Sequence, residues 1–207
     1  MLNRTAMSRI GLVGACDDAP RLRRAFELLL REDCDPIVYL GPGDFFDAAV
    51  RGMPGARVAT DEMFLRAAAA VALRGNAQEI EGLLAAEKLA GKLARLRALP
   101  PAPALAVEML EERLVILVHD KAILTEDDIA SAAIIAHEAP ERGHRRIGPR
   151  HFVSPGPLDS DGGVVALLRA EAKGGASLCF ARLDGRVDQE TALAFGVTSR
   201  MIVTGTA

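Results

Sequence analysis

The chain opens strand-helix-strand, and that order constrains its fold more than any later feature. "SRIGLVGA" (8–15) is a short run rich in Ile, Leu and Val that ends in small residues. It is the pattern of a strand buried on both faces and running into a loop. "APRLRRAFELLLRED" (19–33) sets Leu22, Phe26, Leu29 and Leu30 at helical spacing. "DPIVYLGPGD" (35–44) is a second buried strand, cut off by Gly41-Pro42-Gly43. Two such strands joined through a helix predict a parallel pair with a right-handed crossover.

After this opening, "FFDAAVRG" (45–52) reads as a short helix and "ARVATDE" (56–62) as a weak strand. "EMFLRAAAAVALR" (62–74) reads as a helix, or a helix running into a strand. From Gln78 to Leu99 the sequence is strongly helical, with Leu83, Leu84, Leu89, Leu93 and Leu96 on one side, until "LPPAPA" (99–104) breaks it. The second half changes character. "LAVEML", "RLVILVHD", "SAAIIAHE", "RHFVSPG", "GGVVALLRA" and "ASLCFARLDGR" are short apolar runs separated by turn residues, and they read as successive strands. Thr125 with Asp128 three residues on fits a capping box ahead of a short helix. No repeat period is present. The order predicts an α/β domain of two packed mixed β-sheets flanked by helices.

Composition narrows the function. The chain has 207 residues, enough for one ordinary domain, and 50% are hydrophobic. Twenty-five basic residues balance 28 acidic ones for a net charge of −3, so no nucleic-acid or membrane partner is expected. Trp is absent and Tyr39 is the single Tyr, so base stacking is poorly provided for. Cys16, Cys34 and Cys179 are three with no paired spacing, which argues against a disulfide framework or a cysteine zinc site. Reduced thiols, no apolar leader in "MLNRTAMSRI" and no run of the roughly 20 residues that span a bilayer lead to an expected cytoplasmic location.

The polar residues of interest share one placement, at the ends of strands. Ala15-Cys16-Asp17-Asp18 follows the first strand and Gly41-Pro42-Gly43-Asp44 the second. Arg74-Gly75-Asn76, His119-Asp120 and His137-Glu138 each follow an apolar run. Ligand sites of α/β sheets gather at the carboxyl ends of strands. A mixture of oxygen and imidazole donors there suits a borderline divalent metal such as Mn, Fe or Zn. Each residue also has a plain structural reading. Asn76 suits a helix N-cap or a left-handed turn, and Asp17, Asp18 or both suit a cap for the helix that starts near Pro20. Asp44 suits a cap for "FFDAAV". "GHRRIGPRH" (143–151) reads as a solvated loop, and Cys16 as a thiol near any site at the rim.

In this order the loops resemble the calcineurin-like metallophosphoesterase family, in its small bacterial and archaeal phosphodiesterase branch. That family runs Asp-x-His after the first strand, Gly-Asp after the second, then Gly-Asn-His-Asp, His-Gly, Gly-His-Thr-His and Asn-Pro-Gly-Ser. The matching stretches here are "RIGLVGACDD", "YLGPGD", "RGNAQE", "ILVHDK", "IIAHEAPERG" and "FVSPGPL", from near the start to about Asp184. The resemblance implies a single domain over residues 1–207, a four-layer α/β/β/α sandwich, with residues 1–7 as a flexible N-terminus.

The resemblance also marks departures. Ala15 stands at the family's first Asp and Asp17 at its first His. Either Pro42 takes the bridging Asp position or, with a two-residue shift, Asp44 keeps it. Asn76 is kept, but Ala77 stands at the catalytic His. His119 is kept with Asp120 after it, and His137 is kept with Ala139 at the following His. Ser154 and Pro157 end the last motif. The connection between Asn76 and His119 is longer than the family pattern. Of the family's two metal sites, one is thus reduced to Asp17 and Asp44, while the other retains Asn76, His119 and His137, with Asp44.

Two-metal hydrolysis needs a bridging hydroxide and a symmetric clamp, and alanine coordinates nothing. The expectation is a metallophosphoesterase-fold protein without efficient phosphodiesterase activity, kept for binding or regulation of a protein partner. One alternative is a one-metal phosphoesterase using Asp44, Asn76, His119 and His137 on a phosphate-containing small molecule. Another is a nucleotide-binding α/β protein, since "GLVGA" after a strand faintly matches a dinucleotide loop. The cofactor expected is one divalent metal or none.

Overall fold

The opening crossover forms as the sequence predicts. A computed structural model describes residues 7–53, 66, 68–71, 73, 75–101, 103, 105–159 and 162–195, Asp44 and Lys173 by their backbone only. β1 (Arg9–Val13) and β2 (Ile37–Tyr39) pair in parallel, Gly11 opposite Ile37 and Val13 opposite Tyr39. Between them α1 (Ala19–Arg31) starts at Asp18, whose carboxylate accepts the Arg21 amide. Pro20 sits in its first turn and Arg31 in its last, where a fixed φ and a cation each favour the helix. Leu22, Ala25, Phe26, Leu28 and Leu29 make its buried face.

β3 (Leu96–Ala98) extends this sheet in parallel beyond β2, and β9 (Val164–Glu171), β10 (Gly175–Arg182) and β11 (Val187–Leu193) extend it antiparallel on the other side. The first sheet runs β11-β10-β9-β1-β2-β3. The second runs β4-β5-β6-β8-β7 and is also mixed. Its strands are β4 (Ala106–Leu110), β5 (Arg113–Val118), β6 (Ile134–His137), β7 (Gly143–Ile147) and β8 (Arg150–Ser154).

Three apolar clusters stack these layers. Ile10, Leu12, Val38, Leu117, Ile134, Leu168 and Phe180 belong to the core shared by the two sheets. The outer face of the first sheet, with Val13, Tyr39 and Leu167, packs on α1 and on α2 (Asp44–Arg51), where Phe26 meets Phe46 edge-on at 5.6 Å. The outer face of the second, with Ile116 and Ile135, is covered around Ile129 of α4 (Glu126–Ser131). Thr125 and Asp128 form the expected capping box at α4. The fold is two mixed sheets flanked by helices, as the element order predicts.

Two expectations change. The long helix, α3 (Ala77–Leu93), ends before Leu96, because Leu96–Ala98 pair with β2 instead. None of its side chains is fully buried, so its leucine side only half-covers the molecule. "GHRRIGPRH" is not a loop. It is the β7-β8 hairpin, and its alternation is masked by polar residues on both faces of an edge strand. β11 carries mostly polar residues for the same reason. The stretch read as a weak strand at 56–62, and residues 1–6 of the expected flexible terminus, lie outside the described residues.

The β7-β8 hairpin encloses a histidine pair. His144 Nε2 lies 2.8 Å from His151 Nδ1, and His151 Nε2 lies 3.1 Å from the Ala194 carbonyl. Burial lowers the pKa of both rings, with the neighbouring His151 adding to the effect on His144 and Arg146 to that on His151. The folded chain therefore binds fewer protons here than the unfolded chain below the ordinary value of 6.5. The pair's contribution to stability is complete above that pH and is lost as pH falls through it. Thermal midpoints should fall between about pH 7 and about pH 5, and His144→Gln should flatten that slope. An equal slope in the variant would assign the pH dependence elsewhere.

Candidate functional site

The parallel strands bring their carboxyl ends to one rim. There the loops after β1, β2, β5, β6 and β8 meet across both sheets. Leu158 N–H donates to the Ala15 carbonyl at 2.8 Å, and Glu138 N–H to the His119 carbonyl at 3.2 Å. The loops approach so closely that side chains are excluded. A Cβ on Gly14 would stand 1.8 Å from the Gly156 carbonyl oxygen, and one on Gly41 would stand 2.6 Å from the Tyr39 hydroxyl.

Tyr39, the last residue of β2, is fully buried and ties the β1 loop down. Its hydroxyl donates to the Cys16 carbonyl at 3.2 Å and accepts the Cys16 amide at 3.3 Å. Burial pushes its pKa up to about 12. Beside it Asp159, in the loop after β8, accepts the Asp17 amide at 3.0 Å, the Cys16 thiol at 3.4 Å and Arg21 Nη1 at 2.8 Å. Burial alone would raise the Asp159 pKa, but these donors outweigh it and hold the carboxyl below its usual range. Cys16 is buried and its pKa is pushed up to about 11, by burial first and by the Asp159 carboxylate with it. A pKa raised in this way favours the thiol form at neutral pH. Glu138 is half-buried, and burial raises its pKa against the opposing effect of His119.

The sequence candidates take separate places. Asn76 is exposed at the start of α3, where its side-chain oxygen accepts the Glu79 amide at 3.0 Å and the Glu79 carboxylate accepts the Asn76 amide. His119 lies at the rim with Nδ1 2.7 Å from the Leu40 carbonyl and Nε2 3.2 Å from the Pro100 carbonyl. His137 is 7% exposed, with Nδ1 2.9 Å from the Glu138 carbonyl. Asp17 meets Asp159 through its backbone amide. Asp18 caps α1, and Asp120 caps the 3-10 turn Lys121–Ile123. Asp44 opens α2, and its side chain lies outside the described residues. Among the described residues, no three His, Cys, Asp or Glu side chains group as a metal ion requires. A ligating nitrogen must present a free lone pair, whereas both nitrogens of His119 face carbonyl oxygens. Among the described residues, the structure does not bring His119 and His137 into one such group, and the Asn76 oxygen caps α3.

Sequence reasoning missed Asp159, Arg21 and Tyr39 as rim residues. Asp159 lies in a turn, Arg21 in a helix rich in Arg, and Tyr39 inside an apolar strand, so no local pattern marked any of them.

No family model and no curated protein matches the chain. Solved structures do. A predicted phosphoesterase from Streptococcus pneumoniae TIGR4 is 12% identical with a TM-score of 0.50, the match covering 90% of this chain and 99% of that one. Yfce, a phosphoesterase from E. coli, is 15% identical over 90% of this chain and 100% of its own, with a TM-score of 0.45. Vps29 of Chaetomium thermophilum is 11% identical over 91% of this chain and 98% of its own, with a TM-score of 0.48. At these identities the likeness is one of fold.

Proposed function

We propose that this chain, which has the calcineurin-like metallophosphoesterase fold, has given up most of one metal site and the catalytic histidine and serves a binding or regulatory role. One observation carries the reading. His119, which the resemblance places among the retained ligands, has both ring nitrogens turned to main-chain carbonyls of the other sheet. A carbonyl only accepts, so whichever ring nitrogen carries the proton donates to one of them, which supports a structural role for the ring. Ala15 and Ala77 add to it, since neither can coordinate or move a proton. Asn76 spends its oxygen on a helix cap.

Two-metal hydrolysis would need a clamp on the attacking and leaving oxygens, and Ala15, Ala77 and an Asn76 engaged in its helix cap supply too few donors for one. The partner proposed is a protein. Assays of the purified protein on bis-p-nitrophenyl phosphate with Mn should give no turnover. Adding Mn, Zn or Fe should leave its thermal midpoint unchanged. Turnover that disappears in His119→Ala and Asn76→Ala would overturn the proposal in favour of a one-metal phosphoesterase using Asp44, Asn76, His119 and His137.

A further inference from the structure

Among the described residues, four strands lie at sheet edges: β3 and β11 in the first sheet, β4 and β7 in the second. An edge strand leaves N–H and C=O groups open to another chain, and proteins blunt such edges by shortness or charge. β3 has three residues with Arg97 in the middle. β7 carries Arg145 and Arg146, and β11 carries Asp188, Gln189 and Glu190. β4, "AVEML", has no Lys, Arg or Pro.

The hairpin fixes which groups of β4 are open. Leu110 and Arg113 flank the two-residue turn Glu111-Glu112, so they exchange hydrogen bonds, and so do Glu108 with Val115 and Ala106 with Leu117. The alternate residues, Val107 and Met109, therefore aim their N–H and C=O away from β5. No hydrogen bond from a described residue reaches them. Their side chains are 50% and 52% exposed on the outer face of the second sheet. Open main-chain groups and exposed apolar side chains thus coincide on two residues of one edge.

We propose that β4 is an interface between two copies of this chain, paired antiparallel about a two-fold axis at Glu108. In that register Val107 stands opposite Met109 of the second copy, and Met109 opposite its Val107. Every outward N–H and C=O of the four residues gains a partner, and the four exposed apolar side chains cover one another. Glu108 is the one feature that opposes pairing, because the two carboxylates would meet at the axis. Arg97 answers it through the ion pair it already makes with Glu108, so two acids meet together with two arginines and the cluster is neutral. The edge is thus complementary to itself in hydrogen bonds, apolar cover and charge, which favours a second copy as its partner. A five-residue edge contact is small, so the dimer is weak and concentration-dependent.

Sedimentation velocity of the full chain from roughly 1 to 200 µM, where weak interfaces populate, should show a monomer giving way to a dimer. Met109→Lys puts a charge on the edge at a half-exposed site and should weaken the dimer by at least about tenfold. Arg97→Ala leaves the two glutamates uncompensated and should also weaken it. Val187→Lys, at a residue of β11 that is 56% exposed, should not. Hydrogen exchange at the Val107 and Met109 amides should slow with concentration in the wild type and in Val187→Lys, and should do so far less in Arg97→Ala and Met109→Lys. A monomer throughout this range, or a dimer indifferent to Met109→Lys in a variant with unchanged circular dichroism, overturns the proposal.

Discussion

Gly14→Ala should destabilise the chain by about 3 kcal/mol or more, with the denaturant dependence unchanged. The added methyl would meet the Gly156 carbonyl oxygen at 1.8 Å. This neighbour is backbone and has no rotamer to give. Gly156 cannot step aside readily either, because it holds φ at 70° and a Cβ there would lie 2.5 Å from the Arg142 amide nitrogen. The β1 loop would have to move, and with it the Cys16 contacts to Tyr39 and the Asp17 amide on Asp159. Gly82→Ala is the matched control. It sits on the exposed face of α3 with nothing within 4 Å of a Cβ, and should stabilise by about 0.5–1 kcal/mol. Urea unfolding of the two variants would decide it. A Gly14→Ala value within about 1 kcal/mol of wild type would mean the rim loops are not packed this closely.

What the sequence revealed follows from which residues carry periodicity. β1, α1 and β2 were legible because both faces of each strand and one face of the helix are apolar. The strands of the second half were legible for the same reason wherever they are buried. β7 and β11 were not, since an edge strand with polar residues on both faces loses its apolar signal. The end of α3 was misread because Leu93 and Leu96 continue a helical spacing, and only pairing with β2 diverts Leu96 into a strand. At the rim, sequence marked His119 and His137 as residues of interest but not what they bond to. Leu40 and Pro100 offer main-chain carbonyls, which leave no trace in residue type. Asp159 is 143 residues from the Cys16 it contacts, a separation no local motif can signal.

His119→Ala should cost about 2–3 kcal/mol, and metal should not change that cost. The ring joins the end of β5, in the second sheet, to the Leu40 and Pro100 carbonyls that flank β2 and β3 in the first. Each bond contributes about 1 kcal/mol net, and a carbonyl left without a donor in a partly buried place adds to the loss. A metal ligand would behave in the opposite way. Its nitrogen would be free of protons, its loss would leave apo stability nearly unchanged, and its presence would show as a rise in thermal midpoint on adding Mn or Zn. Denaturant unfolding of wild type and His119→Ala, each with and without metal, separates the two accounts in one experiment. A large loss without metal and no rescue by it identifies a strut between the sheets at the position where the resemblance expects a ligand. A metal-dependent gain confined to the wild type would return His119 to the metal centre and reopen the hydrolytic reading.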